Sequence, residues 1–253
     1  MNSTQINFIA SNAALMGYEN VVDELVQAGL GDIGVIARYA ALGGHKGIVD
    51  KMRQFASKYR IILDLDAIIG YAALGGHEQI VDDMVAVEIR DINVVASYAA
   101  RGGHKEIVDN MIRRGARRFG DTAKYAAERG YKDIVDDMIR RGAYRFGDIA
   151  KYAAEGGYKD IVDDMIRRGA TNFDEIAESA ALGGYKDIVD DMIQRGATNF
   201  DEIAISAVRG GCSRILEDMI RRGVDINTIA SEAAIEGYDD VVEDMIRRGA
   251  SLS

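Results

Sequence analysis

The stretch GGYKDIVDDMIRRGA, Gly156 to Ala170, returns almost unchanged at Arg129 to Ala143 and again at Gly183 to Ala197. Aligning on its glycine followed by Tyr, His or Cys finds nine copies: Gly17-Tyr18, Gly44-His45, Gly76-His77, Gly103-His104, Gly130-Tyr131, Gly157-Tyr158, Gly184-Tyr185, Gly211-Cys212 and Gly237-Tyr238. The intervals are 27, 32, 27, 27, 27, 27, 27 and 26 residues. A sustained period between about 20 and 50 residues marks a solenoid, whose units bury their apolar faces only by stacking on neighbours. The whole chain, residues 1–253, therefore reads as a single array with units near 6–32, 33–64, 65–91, 92–118, 119–145, 146–172, 173–199, 200–225 and 226–253.

Within a unit, Phe146, Ile149, Ala150, Ala153 and Ala154 fall at i, i+3, i+4, i+7 and i+8, one apolar stripe of a helix. Ile161, Val162, Met165 and Ile166 form a second stripe on a second helix. Gly156-Gly157 divides the two, because glycine accepts the left-handed geometry of a helix end. Gly169 closes the second helix after Arg167 and Arg168 have set positive charge at its C-terminal dipole. The next turn is too short for a strand. Its Asn172 with Glu175, and Asn199 with Glu202, have the spacing of a capping box and predict helix starts. Helices at interaxial distances of about 8 to 10 Å would make nine units a rod or arc on the order of 80 Å long.

The composition agrees with a packed, short-looped helical chain: 48% hydrophobic, 28% charged and no proline. A formal net charge of -10 opposes phosphate backbones and anionic lipid, so a general nucleic-acid or membrane binder is not expected, although a local basic patch stays open. One cysteine, Cys212, and an N-terminus without a basic, apolar leader predict an intracellular, cytoplasmic protein.

AALGGHEQIVDDM at Ala72 to Met84 and AARGGHKEIVDNMIRRGA at Ala99 to Ala116 resemble the ankyrin repeat, through the Ala pair, Gly-His, Ile-Val and Gly-Ala at matching offsets. The resemblance spans nearly the whole chain. It departs in period, 27 residues against about 33, and in its opening, Phe200-Asp-Glu-Ile-Ala204 where T-P-L-H is expected. The missing residues are those of the projecting β-turn finger. The fold expected is an all-α, ankyrin-like helical-repeat solenoid without fingers, similar in style to repeat proteins abundant in giant DNA viruses. That style implies a viral protein acting in a host cytoplasm.

Columns that vary on an exposed face are free to specify a partner. In the first helices these are Val35-Tyr39-Leu42, Ala67-Tyr71-Leu74, Val94-Tyr98-Arg101, Asp121-Tyr125-Glu128, Asp148-Tyr152-Glu155, Glu175-Ser179-Leu182 and Glu202-Ser206-Arg209. The ankyrin-like arrangement implies that they line a concave groove. The candidate partner-binding residues are Tyr39, Leu42, Tyr71, Leu74, Tyr98, Arg101, Tyr125, Glu128, Tyr152, Glu155, Leu182 and Arg209. The five tyrosines either stack for stability alone or also bind, as tyrosine does at hot spots.

His45, His77 and His104 share one column of successive units, roughly 10 Å apart, whereas zinc needs ligands about 2.0 to 2.1 Å from one ion. No metal or cofactor is expected; the resemblance implies that they hydrogen-bond the inter-unit turn, with Tyr replacing them later and Cys212 as a further filler. Acid pairs such as Asp136-Asp137, Asp163-Asp164 and Asp190-Asp191 precede arginines by four residues and predict a salt-bridged outer face. With neither nucleophile and base nor a phosphate-cradling glycine motif, no catalysis is expected.

Two irregularities remain. Arg53 to Asp66, RQFASKYRIILDLD, lacks R-R-G-A and lengthens its unit by five residues, and MVAVEIRDINVV, Met84 to Val95, also lacks its glycine. Such an insertion forms a loop or extended helix on one face, or is a scar of duplication. The last unit, Val241 to Ile246, is as apolar as an interior one, which raises end-to-end self-association into a rod or larger particle.

Overall fold

The computed structural model describes residues 3–88 and 91–251. Ile89 and Arg90 of the second irregular stretch and Leu252 and Ser253 of the last unit lie outside the described residues. Eighteen α-helices and, among the described residues, no strand make this an all-α helical-repeat protein. The first helices of the pairs are α1 Ser3–Leu15, α3 Ile33–Leu42, α5 Leu65–Leu74, α7 Ile92–Gly102, α9 Phe119–Glu128, α11 Phe146–Glu155, α13 Phe173–Gly183, α15 Phe200–Arg209 and α17 Ile226–Glu236. The second helices are α2 Glu19–Gln27, α4 Lys46–Tyr59, α6 Glu78–Glu88, α8 Lys105–Arg113, α10 Lys132–Arg140, α12 Lys159–Arg167, α14 Lys186–Gln194, α16 Ser213–Arg221 and α18 Asp239–Arg247. The chain divides into two compact units, Met1–Ala126 and Ala127–Ser253.

Within the first unit α1, α3, α5 and α7 pack side by side in that order, within the second α11, α13, α15 and α17 do the same, and each of these eight first helices carries its own second helix. The alanine pairs allow the close approach: Ala40-Ala41, Ala72-Ala73, Ala153-Ala154 and Ala180-Ala181 are all fully buried. The second helices contribute Ile, Val and Met, and Met111, Met138, Met165 and Met192 are likewise inaccessible. Removing one such methionine side chain costs about 2 to 5 kcal/mol, so the repeat's fixed letters are its core.

The turn at Gly156-Gly157 forms as its sequence predicts, with Gly157 at φ +81. The capping boxes do not form. Asn172 and Asn199 stand at the N-caps with ψ 62 and 66 and make no side-chain cap bond. Asp32 and Asp225, at ψ 117 and 115, do cap, accepting from Gly34 and Val35 and from Asn227. The less extended backbone turns the asparagine amides away from their own helix: Nδ2 of Asn172 donates to the Gly147 carbonyl at 3.5 Å and that of Asn199 to Glu178 at 3.4 Å.

The long unit is long because α4 runs 14 residues where α8, α10, α12 and α14 run 9. Without the closing glycine it continues until Arg60, which adopts φ 57 and is the one left-handed non-glycine among the described residues.

Candidate functional site

The histidine column is part of the scaffold. Nε2 of His45, His77 and His104 lies 3.0, 2.8 and 3.1 Å from the carbonyl oxygens of Leu15, Leu42 and Leu74, each on the first helix of the preceding repeat. A carbonyl only accepts, so Nε2 carries the proton in all three. Each ring satisfies an orphan carbonyl of a helix end. Tyr238 does the same with its hydroxyl, donating to Arg209 O at 3.3 Å. The rings of Tyr158 and Tyr185 fill the space beside Gly130 and Gly157, and the Cys212 sulfur that beside Gly184.

The outer face is salt-bridged, both along single helices and between repeats. Asp164 takes both arginines of its helix, Arg168 at 2.8 Å and Arg167 at 3.0 Å. Asp163 instead pairs with Lys159 at 3.0 Å and with Arg195 of the next repeat at 3.6 Å. Lys159 also reaches Asp191 at 2.9 Å and Lys186 reaches Asp218 at 3.4 Å, so the charges bind repeats to one another. Burial pushes the carboxyls of Asp164, Asp191 and Asp218 up, but their cationic partners together hold all three below the usual range. No group of three or more possible metal ligands gathers among the described residues.

A second inter-repeat device escaped the sequence reading. Asn7, Asn93, Asp174 and Asn227 each stand six residues before an alanine-pair position and accept from main-chain amides of the following turn. Asp174 takes Thr198 N and Asn199 N at 2.6 and 2.8 Å; Asn93 takes Arg117 N and Arg118 N at 2.7 and 2.9 Å. The signal was a polar letter in one column of the alignment, visible only when columns outside the apolar pattern are compared.

In the unit Met1–Ala126 the candidate stripe is aromatic. Tyr39 and Tyr71 have ring centroids 6.0 Å apart, Tyr71 and Tyr98 6.3 Å, and all three are half-buried. Leu42 and Leu74 are half-buried beside them, and their carbonyls are the ones held by His77 and His104. The Arg101 guanidinium lies over the ring of Tyr125, 5.9 Å from its centroid. Ser97, Tyr98, Arg101 and Tyr125 line a hollow of about 60 Å³. It adjoins one of about 260 Å³ that adds Asn93, Arg118, Asp121 and Lys124.

In the unit Ala127–Ser253 the equivalent first-helix positions are more acidic. Glu128 and Tyr152 are half-buried, and Glu155, Leu182 and Arg209 are exposed, Arg209 pairing with Glu236 at 3.1 Å. On the neighbouring helices burial and the nearby Glu202, Glu175 and Asp174 push the Glu178 carboxyl up. Among the described residues no helix is long and apolar enough to cross a membrane.

No family model matches the chain, and no curated protein matches it. Among solved structures it is similar to the pentatricopeptide repeat protein PPR10 from maize, with 12% identity over 98% of this chain and a TM-score of 0.41. The chain spans 45% of that protein's length. At this TM-score nothing about ligand or partner carries over.

Proposed function

We propose that this helical-repeat chain is a non-catalytic, ankyrin-like scaffold that binds a partner protein along its first-helix face. The observation that carries the reading is the half-buried row Tyr39, Tyr71 and Tyr98, with rings about one helix spacing apart. Rings held by their neighbours have already lost rotamer freedom, so a partner gains their contact area at small entropic cost. Leu42, Leu74, Arg101 and Tyr125 flank the row; the equivalent positions in the unit Ala127–Ser253 are Glu128, Tyr152, Glu155, Leu182 and Arg209. The histidines and acid pairs, the groups with catalytic potential, are engaged by helix-end carbonyls and basic side chains in repeat after repeat, whereas a catalytic centre needs one asymmetric constellation. A net charge of -10 supports a protein partner over a nucleic acid. A host cytoplasm as the place of action, with a viral source, rests on the repeat style alone.

The alternative is a structural rod assembled end to end; a mass that rises with concentration would favour it, and a stoichiometric protein partner would favour the scaffold.

The test is affinity capture from an extract of the cell that makes the protein. The intact chain is compared with a Tyr39→Ser, Tyr71→Ser, Tyr98→Ser variant shown by circular dichroism to be folded. A stoichiometric protein held by the first and lost by the second is expected; identical sets on both would overturn the assignment of the stripe.

A further inference from the structure

The extended helix α4 makes a surface unlike any other second helix. Lys46 to Arg60 holds Lys46, Lys51, Arg53, Lys58 and Arg60 against one acid, Asp50, whereas Lys132 to Arg141 balances three bases with three acids. Lys46 is engaged by Asp50 and Asp83, Lys51 by Glu19 and Asp23, and Arg53 by Asp50. The cations of the extra turns are placed differently. Lys58 lies over the Tyr59 ring at 5.2 Å, and among the described residues neither it nor Arg60 has an acidic partner within ion-pair distance. Apolar side chains stand among them: Ile62 is 97% exposed and Tyr59 55%, with Ile61 at 42%. Beside them lies a hollow of about 700 Å³ lined by the apolar Ala56, Ile61, Leu63 and Leu65 and by Asp50, Arg53 and Lys58.

We propose that the α4 extension and its hollow are a second docking surface, independent of the tyrosine stripe, for an acidic amphipathic segment of a protein partner. Leucine-like side chains of such a segment fill the hollow and cover Ile62, while its carboxylates meet Lys58 and Arg60, as when an amphipathic helix lays its apolar face into a groove. Charge complementarity decides the sign of the partner. The screening length of about 8 Å at physiological salt decides its class. A short segment feels only the local cations, whereas a flat anionic bilayer would face the rest of a chain whose net charge is -10 and would leave the hollow unfilled. The left-handed Arg60 fixes the lip: it ends α4 without glycine and holds Ile61 and Ile62 outward, with Ile61 N donating to the Ala56 carbonyl at 2.8 Å.

The experiment is fluorescence anisotropy with a labelled peptide of ~14 residues, leucine at i, i+3, i+4 and i+7 and glutamate elsewhere, beside its glutamine counterpart. The glutamate peptide is expected to bind the intact chain at least about tenfold more tightly than the glutamine one, and to weaken by about tenfold between low and ~0.5 M salt. Ile62→Asp, and separately Lys58→Glu with Arg60→Asn, should each weaken binding about tenfold. The three positions are exposed and asparagine tolerates the left-handed backbone, so the variants keep the fold. No binding of the glutamate peptide, or equal binding by the variants, would overturn the proposal. So would binding to phosphatidylserine-containing vesicles without binding of the peptide, which would reassign the surface to lipid.

Discussion

The Nε2 atom of His77 stands 2.8 Å from the carbonyl oxygen of Leu42, thirty-five residues earlier in the chain and one repeat away in the stack. That bond ends α3 and joins two repeats at once. His77→Ala leaves the carbonyl half-buried without its donor and should lower stability by about 1 to 2 kcal/mol in urea unfolding. His77→Tyr should lose less, because Tyr158, Tyr185 and Tyr238 fill the same column elsewhere.

Comparison of units shows what a single sequence can reveal. The period and the two helices follow from apolar spacing and the turn from its glycines, whereas the histidine bond is implied only by the ankyrin resemblance. Partners across repeats do not follow. The rule that pairs residues four apart assigns Asp163 to Arg167; the cations found on it are Lys159, four residues earlier on the same helix, and Arg195 of the next repeat, which stacking brings within reach across 32 residues of chain. The capping box at Asn172 failed for a backbone angle that no letter encodes. The five-residue insertion leaves a loop, an extended helix or a scar of duplication open; the structure has the extended helix α4, with Ile62 uncovered beyond it.

Two glycines with positive φ should respond differently to alanine. Gly142, at φ 109, has nothing near an added methyl, so only backbone strain of about 1 to 2 kcal/mol is expected. Gly76, at φ 79, faces the His104 ring in the space a Cβ would occupy. Gly76→Ala must displace that ring and break its bond to Leu74 O, so its loss should exceed that of Gly142→Ala by about 1 to 3 kcal/mol. Thermal melts of the two variants measure the difference.

Asp174 accepts two amides of the next turn, Thr198 N and Asn199 N. Asp174→Ala strips both and should cost about 1 to 3 kcal/mol, with the loss seen in hydrogen exchange as faster exchange at Thr198 and Asn199. Asp174→Asn should recover most of it, since Asn93 makes the same pair of bonds with Arg117 and Arg118.

The Asp164 carboxylate has 15% of its side chain exposed. Burial raises its pKa, and the bonds from Arg168 and Arg167 overcome that and bring it below the ordinary value. A lowered folded value means the stabilisation is complete above the unfolded pKa, about 3.9, and fades as pH falls through the folded one. Asp164→Asn should therefore cost about 1 to 2 kcal/mol at pH 7 and much less under strong acid. Urea unfolding at the two pH values checks the sign.

Glu178 has the opposite sign. Burial, then Glu202, Glu175 and Asp174, disfavour its charged form, and Lys151 offsets them only in part. A folded pKa raised above the unfolded value means that ionised Glu178 opposes folding at neutral pH. The penalty fades as pH falls through the folded value toward the ordinary glutamate value near 4.3. Glu178→Gln keeps an oxygen to accept from Asn199 Nδ2 and removes the charge. Its Tm should rise at pH 7 by on the order of 1 °C, a modest figure because the site is partly open to solvent, and should match the unmodified chain at pH about 3.5. A fall in Tm at pH 7 would mean that the carboxylate holds Asn199 more strongly than its neighbours repel it.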